Sequence, residues 1–194
     1  MGFPTPSRKI ELWSEVFLDH GYAALPEFIE PPIGPATRPD LLARFPLVLT
    51  CAKPSLFCQS QHRALPSLRK RSQHPEIELH PDTAAARGIT EGSWVAVETP
   101  AGGMRACARF NEKLDPRVIV GEHGWWQACR ELDLSGYDPL TVEGANFNRT
   151  VDAGMRDPIS GTPEHRANLC EVRPAEMTSA STESLSQVSL AKVW

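Results

Sequence analysis

The chain has 194 residues, of which 41% are hydrophobic and 23% charged, a composition that suits one globular domain with appendages. Its 18 prolines and 13 glycines predict many turns and short elements rather than long helices. The formal net charge of −4 gives no general attraction for nucleic acid or an anionic membrane surface, so we expect neither as a partner.

Residues 1–40 are expected to form an N-terminal arm and connector. Ile10 and Leu12 alternate with charged neighbours, which predicts a short strand. Ser14 is a suitable N-cap for a short helix that Gly21 would close. The many prolines between residues 25 and 39 exclude regular structure there and predict an extended surface connector.

Residues 41–174 carry the signals of a mainly β domain with short helices. Pro81 and Gly88 mark the two ends of one short helix, and a helical turn is expected near residues 65–71. Because strands and helix alternate, the pattern favours a small closed barrel over a sandwich. Strands are predicted at residues 45–50, 76–80, 94–98, 104–110, 118–120 and 168–172.

The region 122–167 is rich in turn residues and has no clear period, which in a compact domain indicates a functional or a disordered segment. Trp125, Trp126 and Tyr137 argue against disorder, because disordered segments are poor in aromatic residues. The composition then shifts to Ser, Thr and Ala, and residues 175–194 are predicted to form a disordered tail.

The five cysteines are odd in number and form no C-x-x-C pair. We therefore expect reduced thiols, without a disulfide framework, a zinc site or an iron–sulfur site in this chain. No apolar run approaches the ~20 residues of a membrane span, and no signal-peptide pattern opens the sequence. The expected location is the cytoplasm, or the periplasm if a full-length protein carries a signal.

Residues 41–75 contain six basic side chains and no acid, although the chain as a whole is acidic. Phosphate groups are bound by such charges together with backbone amides and hydroxyls, and the loop at residues 50–55 offers both. The alternative interpretation is a solvated basic face. The six side chains are Arg44, Lys53, Arg63, Arg69, Lys70 and Arg71.

Two polar strings have the chemistry to recognise a heteroaromatic ring. Residues 58–63 can all donate or accept hydrogen bonds, and residues 121–126 with 144–148 combine indole faces with asparagine amides that can pair with a pterin or guanine edge. A polar surface loop and a core tryptophan pair are the alternatives. Glu122 and His123 could imitate an acid–base pair, but adjacent strand residues point to opposite faces.

Taken in order, these strings resemble the C-terminal dinucleotide-binding domain of molybdopterin oxidoreductases, the dimethyl sulfoxide reductase superfamily, and within it formate dehydrogenase-like and thiosulfate reductase-like members. The resemblance covers roughly residues 3–173. The strings are T-P-S-x-K-I-E-L from Thr5, F-C-x-S-Q-H-R from Phe57, L-P-x-L-R from Leu65, E-x-H-P-D-T-A from Glu78, G-I-x-x-G-x-W-V from Gly88, H-G-W-W from His123 and N-x-N from Asn146.

The resemblance implies a double-psi β-barrel that helps to bind a bis(molybdopterin guanine dinucleotide) cofactor carrying molybdenum or tungsten. It places a cofactor-contacting loop after the first barrel strand and a later segment that approaches a pterin. The loop residues are Thr50, Cys51, Lys53, Gln59, Ser60, Gln61, His62 and Arg63, and the later residues are His123, Trp125, Asn146 and Asn148.

Two positions depart from the family pattern. Gln59 lies where relatives often carry histidine, and Arg8 lies where they often carry glycine. Glutamine can donate and accept hydrogen bonds, but it cannot exchange a proton near pH 7 as histidine can. Position 59 of this chain therefore lacks the proton-transfer group that histidine supplies in relatives.

Whole members of this family carry an N-terminal cysteine-rich iron–sulfur motif and a metal-ligating Ser, Cys, selenocysteine or Asp in mid-chain, and neither region lies in these 194 residues. We therefore expect a cofactor-binding domain that is not catalytic by itself and works with the remaining domains or a catalytic subunit of the same oxidoreductase. Formate, thiosulfate and polysulfide all stay open as substrates.

Two other functions are compatible with the residues. A double-psi barrel could serve as a protein-interaction or substrate-recognition module without catalysis. A single-stranded nucleic-acid binder would use the basic loop and the tryptophans, and it would show steeply salt-dependent binding.

Overall fold

The computed structural model describes residues 2–141 and 144–175. The chain divides into two compact units, Met1–Glu30 and Pro31–Trp194. The predicted tail, 175–194, lies outside the described residues except for Ala175. The domain limits drawn at residues 40 and 174 stay a prediction.

The first unit contains one short helix, α1, at Glu15–Asp19. The Ser14 hydroxyl caps this helix by accepting a hydrogen bond from the Phe17 amide, as predicted, and Gly21 follows it with a φ of 79°. The strand predicted around Ile10 and Leu12 is wrong. Both side chains are exposed, and no neighbouring strand pairs with this segment among the described residues, so the alternating pattern has no face to bury.

Arg8 adopts a left-handed backbone conformation with a φ of 60°. This is the position where the resemblance expects glycine. Glycine takes a positive φ without steric cost, whereas a residue with a Cβ atom is strained by about 1–2 kcal/mol. The backbone of this turn thus explains why glycine suits position 8.

The second unit is a barrel of short strands with two short helices, α2 at Pro66–Arg69 and α3 at Pro81–Ala85. Short 3-10 turns lie at Pro39–Leu41, Arg130–Leu132 and Phe147–Thr150. Each strand and helix predicted in this region is present, with bounds that shift by a few residues. The strands are β1 Leu47–Ala52, β2 Glu76–Leu79, β3 Trp94–Thr99, β4 Gly102–Phe110, β5 Val118–Glu122 and β6 Asn168–Pro174.

The six strands close on themselves in the order β1-β5-β2-β4-β3-β6, with β6 returning to β1. Two pairs are parallel, β1 with β5 and β2 with β4, and the antiparallel β2–β5 pair lies between them. The prediction of a mainly β, double-psi barrel is confirmed. Among the described residues, no helix has the length and hydrophobicity needed to cross a membrane.

The barrel interior is filled by every second residue of the strands. Leu49, Ile77, Val95, Val97 and Ile119 each have 0% of their surface exposed. This follows from the two-residue period of a strand, which sends alternate side chains to one face. Burying such a side chain stabilises the fold by about 1.5–3 kcal/mol, so this cluster is the main source of barrel stability.

The carboxyl ends of β1 and β5 lie at the same edge of the barrel. The two strands are parallel, and Ala52 at the end of β1 pairs with Glu122 at the end of β5. The 53–63 loop and the 123–167 segment therefore leave the barrel side by side. This juxtaposition brings together the polar strings found in the sequence.

Candidate functional site

A cleft of about 860 Å³ opens between the 53–63 loop and the 123–167 segment. It contains seven of the twelve predicted site residues: Cys51, Lys53, Gln59, Ser60, His123, Asn146 and Asn148. It also contains Gly124, Trp126, Pro139, Phe147, Val151, Ala153, Thr162, Pro163, His165 and Arg166.

The 53–63 loop reaches the cleft through a tight turn. The Gln61 amide donates to the Cys58 carbonyl at 2.9 Å, and Gln59 and His62 both have positive φ values, 55° and 73°. Each such non-glycine residue is strained by about 1–2 kcal/mol, so the surroundings must hold the turn in place. The turn directs Gln59 and Ser60 toward the cleft.

Gly124 allows the second segment to approach this turn closely. Its φ is 82°, and a Cβ atom added there would lie 2.5 Å from the Ser60 Cα atom. Only a residue without a side chain permits that backbone contact. Gly124 thereby sets the distance between the two sides of the cleft.

Arg63 joins the same two sides from behind. Its side chain is fully buried, and its guanidinium donates to the backbone carbonyls of Gln59 and His123, both at 2.6 Å. The guanidinium also lies over the rings of Phe57 and Trp125, at 4.4 Å and 4.8 Å from their centroids. Carbonyl oxygens and aromatic faces compensate a buried cation, so Arg63 shapes the cleft and does not face it. Burial lowers the pKa of Arg63 to about 10, which leaves it charged at neutral pH.

Trp125 packs against the buried groups behind the cleft. It is 2% exposed, and a second buried arginine, Arg69, lies over its ring at 4.8 Å. Arg69 donates to four backbone carbonyls, including those of Gln127 and Ser135 in the 123–167 segment. The indole nitrogen of Trp125 donates to the Glu122 carboxylate at 2.8 Å. Trp125 therefore lies behind the cleft and not in its lining, and its predicted contact with a cofactor stays a prediction.

The six basic side chains of residues 41–75 do not form one phosphate-binding surface. Arg63 and Arg69 are buried, and Arg44 lies over the ring of Phe45. Of the six, Lys53 alone lines the cleft. The charge count overestimated the patch because two of its members are buried and donate to backbone carbonyls from distant segments.

The thiol of Cys51 lies 3.3 Å from Nδ1 of His123, and Nε2 of His123 lies 2.9 Å from Oε1 of Gln59. Burial raises the pKa of the Cys51 thiol. Burial, together with the charges of Arg63 and Lys53, lowers the pKa of His123. Both groups are therefore neutral at pH 7.

The two predicted asparagines differ in their freedom to bind a ligand. The Asn146 amide donates to the Pro139 carbonyl at 2.6 Å, and its oxygen accepts from the Asn148 backbone amide at 3.1 Å. Asn146 therefore orders the turn at the edge of the cleft. The exposed Asn148 side chain has no hydrogen-bond partner among the described residues.

Three further predicted residues lie outside the cleft lining. Thr50 is half-buried on β1, opposite Val120 of β5, and Gln61 and His62 are exposed at the turn. Their contact with a cofactor stays a prediction. Sequence analysis did not predict Arg166 as a site residue, and only its position in the irregular region could have indicated it. The same region supplies Trp126 and His165 to the cleft lining.

Glu122 faces a different space from His123, as strand alternation predicts. It lines a separate polar cavity of about 310 Å³ that also contains Glu76, Glu78 and Arg109. Burial is the main reason that the pKa of Glu122 rises to about 7. Within the described ranges, no group of three or more His, Cys, Asp or Glu side chains could hold a metal ion.

The chemistry of the cleft fits a planar, phosphorylated ligand. No described residue that lines it is acidic, and Lys53 and Arg166 supply two cations. Ser60 and the Asn148 amide can bond to phosphate oxygens or ring edges, and Trp126 offers an aromatic face. These residues fit the pterin and diphosphate groups of a molybdopterin dinucleotide.

Known proteins are similar to this chain in sequence and in fold. Residues 47–169 match the family described as "Molydopterin dinucleotide binding domain". The chain is 35% identical over 179 residues to dopamine dehydroxylase from Eggerthella lenta, a match that covers 90% of this chain and 17% of that protein. It is 30% identical over 174 residues to acetylene hydratase from Syntrophotalea acetylenica, covering 87% of this chain and 23% of that protein.

The structure of acetylene hydratase from Pelobacter acetylenicus is similar to the present fold, with a TM-score of 0.74 and 28% identity. That likeness covers 90% of this chain and 24% of the other chain. The chain thus spans about a fifth of the length of the relatives it matches. It belongs to the molybdopterin dinucleotide-binding domain family of the dimethyl sulfoxide reductase superfamily.

Proposed function

We propose that this chain holds and orients a molybdopterin guanine dinucleotide for a larger molybdenum or tungsten oxidoreductase. The observation that carries the proposal is a cleft in which no described lining residue is acidic, and in which Lys53 and Arg166 have no hydrogen-bond or ion-pair partner among the described residues. Unpaired cations beside amide and hydroxyl groups are what a diphosphate requires.

The chemistry of each residue in and around the cleft indicates which part of the cofactor it would bind. Lys53 and Arg166 would bind the diphosphate, Ser60 would add a hydroxyl, and Gln59 and Asn148 would bind polar edges of the pterin. Arg63 and Gly124 would fix the distance between the two sides of the cleft. The bound cofactor would supply the redox chemistry of its metal.

The other parts of the enzyme belong to the proposal as well. The relatives are several times longer than the matched region, so we propose that the remaining domains or a catalytic subunit provide the iron–sulfur cluster and the metal ligand. The relatives are named for different reactions, which supports a substrate site outside this chain. A cytoplasmic location, without direct membrane contact, stays a prediction. The interaction-module alternative gains no support from the relatives.

The proposal is tested by titrating the full chain with molybdopterin guanine dinucleotide released from a molybdoenzyme, using calorimetry. Replacing Lys53 and Arg166 together by alanine is expected to weaken binding at least tenfold, because charge-assisted hydrogen bonds contribute about 1.5–3 kcal/mol each. The matched control replaces Lys70 and Arg130, two exposed cations outside the cleft, by alanine. Equal losses in the two double variants would contradict the site.

A further inference from the structure

Three side chains on one side of the cleft form a continuous hydrogen-bonded row. Cys51 is the next-to-last residue of strand β1, His123 follows strand β5, and Gln59 lies in the tight turn of the 53–63 loop. The row runs from the Cys51 thiol to Nδ1 of His123 at 3.3 Å, and from Nε2 of His123 to Oε1 of Gln59 at 2.9 Å. All three residues line the cleft.

The two hydrogen bonds of the row run in the same direction, with the donor on the Cys51 side and the acceptor on the Gln59 side. The amide oxygen of Gln59 can only accept, so Nε2 of the imidazole must carry the proton that it shares. A neutral imidazole has one N–H group, and Nδ1 must therefore accept. The donor to Nδ1 is the Cys51 thiol, whose other acceptor, the Ala52 carbonyl, is farther away at 3.8 Å.

The charges around the row keep it neutral. Lys53, Arg63 and His165 all face His123 and oppose a second proton on its ring. Arg166, Lys53 and Glu122 lie near Cys51, with burial as the largest influence on its thiol. Burial lowers the pKa of His123 and raises the pKa of Cys51, so both directions favour a neutral imidazole and an intact thiol.

We propose that this row fixes the Gln59 side chain with its amide NH₂ group toward the ligand, so that Gln59 acts as a specificity-determining donor. It would recognise a hydrogen-bond acceptor on the cofactor, either a pterin oxygen or nitrogen or a phosphate oxygen. The inference rests on the proposed function for the ligand's identity, but the direction of the row is a property of this chain alone. Cys51 and His123 are positioning residues that orient Gln59.

The first test needs no ligand. Nitrogen-15 NMR of the histidine rings in the full chain is expected to show His123 as the Nε2–H tautomer. Replacing Cys51 by alanine removes the donor to Nδ1 and is expected to reduce the share of this tautomer, whereas Cys51→Ser keeps a donor and restores it. An Nδ1–H tautomer in the wild-type chain would overturn the proposal, and so would an unchanged ring signal in Cys51→Ala.

The second test measures recognition. In Gln59→Met the side chain keeps a similar length and no charge but loses the NH₂ donor, so we expect at least tenfold weaker binding of molybdopterin guanine dinucleotide. Gln61→Met makes the same neutral change at an exposed position outside the cleft lining and serves as the matched control. Equal affinities for Gln59→Met and Gln61→Met would refute the role of Gln59.

Two probes then separate the possible acceptors. If inorganic pyrophosphate loses affinity in Gln59→Met by more than in Gln61→Met, the acceptor is a phosphate oxygen. If a simple pterin shows that selective loss, the acceptor is on the ring. Should Lys53 and Arg166 prove essential while Gln59→Met has no selective effect on any of the three ligands, the proposed function would stand and the role of Gln59 would fail.

Discussion

At the scale of single residues, the site is unusual in how its buried charges are compensated. Arg63 and Arg69 are fully buried, yet their side chains contact backbone carbonyls and aromatic rings rather than carboxylates. Glu122, the nearby carboxyl group, accepts a hydrogen bond from Trp125 and has its pKa raised to about 7. Its charge is therefore costly to form in the folded state.

Glu122 is expected to make the chain less stable as the pH rises. The pKa of Glu122 lies at about 7 in the folded state, above the ordinary value of 4.5, so the folded chain binds more protons between these values. The favourable contribution of Glu122 to the free energy of unfolding is fully present below pH 4.5 and is lost as the pH rises through 7. As the pH rises from 4.5 to 8, we expect the free energy of unfolding of Glu122→Gln to increase by up to about 3 kcal/mol relative to that of the wild-type chain.

Urea unfolding at several pH values measures this effect as a difference between the two proteins. His74 and His123 have lowered pKa values and produce the opposite trend, but they are common to both proteins and cancel. Glu112→Gln, at an exposed position, makes the same chemical change outside the cavity. A pH-independent difference between wild type and Glu122→Gln would show that Glu122 titrates normally.

At the scale of elements, the cleft depends on two loops that follow parallel strands. Gly124 lets these loops meet at backbone distance, since its position would place a Cβ atom 2.5 Å from Ser60. The tight turn at Gln59 to His62 is strained and gains support from that contact and from Arg63. The geometry of the site is thus shared by two segments that fold together.

Gly124→Ala is expected to separate the loops. It carries the cost of a positive φ, about 1–2 kcal/mol, and in addition a steric clash of about 1–3 kcal/mol. Gly92→Ala is the matched control, because Gly92 has a φ of 75° and nothing within 4 Å of an added Cβ atom. Urea unfolding should show the larger loss for Gly124→Ala, and calorimetry should show weaker cofactor binding only for that variant. Equal destabilisation in the two variants would mean that the loops can shift to accommodate the added methyl group.

The sequence predicted elements well where local patterns are sufficient. Pro81 and Gly88 mark α3, and the two-residue period marks the barrel strands, because these signals depend on neighbours in the chain. The pattern at Ile10 failed because a strand also needs a partner, which alternation does not supply. The burial of Arg63 could not be predicted, since it depends on the His123 carbonyl and the Trp125 ring, which the fold brings from far along the chain.

At the scale of the whole molecule, β6 closes the barrel and makes the second unit one cooperative structure. Leu47 of β1 is 4% exposed and lies opposite Cys170 of β6, and both side chains belong to the barrel interior. Since the interior is continuous around the barrel, loss of packing at the closing strand is expected to weaken all six strands together.

Leu47→Ala is expected to destabilise the barrel by about 2–5 kcal/mol, because the strands cannot collapse fully into the space left behind. Leu140→Ala removes the same atoms from a side chain that is 77% exposed, and its effect should stay within about 0.5 kcal/mol. Circular dichroism and tryptophan fluorescence should report one coincident urea transition for each variant. A second transition in Leu47→Ala would show that part of the barrel is stable without its closing contact.

The pairing of Leu47 with Cys170 also has a consequence for the order of events during synthesis. Strand β1 has β5 and β6 as its neighbours, and both are made long after it. Until residue 174 has left the ribosome, the apolar edge of β1 has no complete set of partners, and such non-local pairings form slowly. The cleft, whose sides come from the 53–63 loop and the 123–167 segment, is not expected to form before then. Cofactor loading is thus expected to be a post-translational step, and a newly made chain would depend on chaperone protection of β1 until it closes.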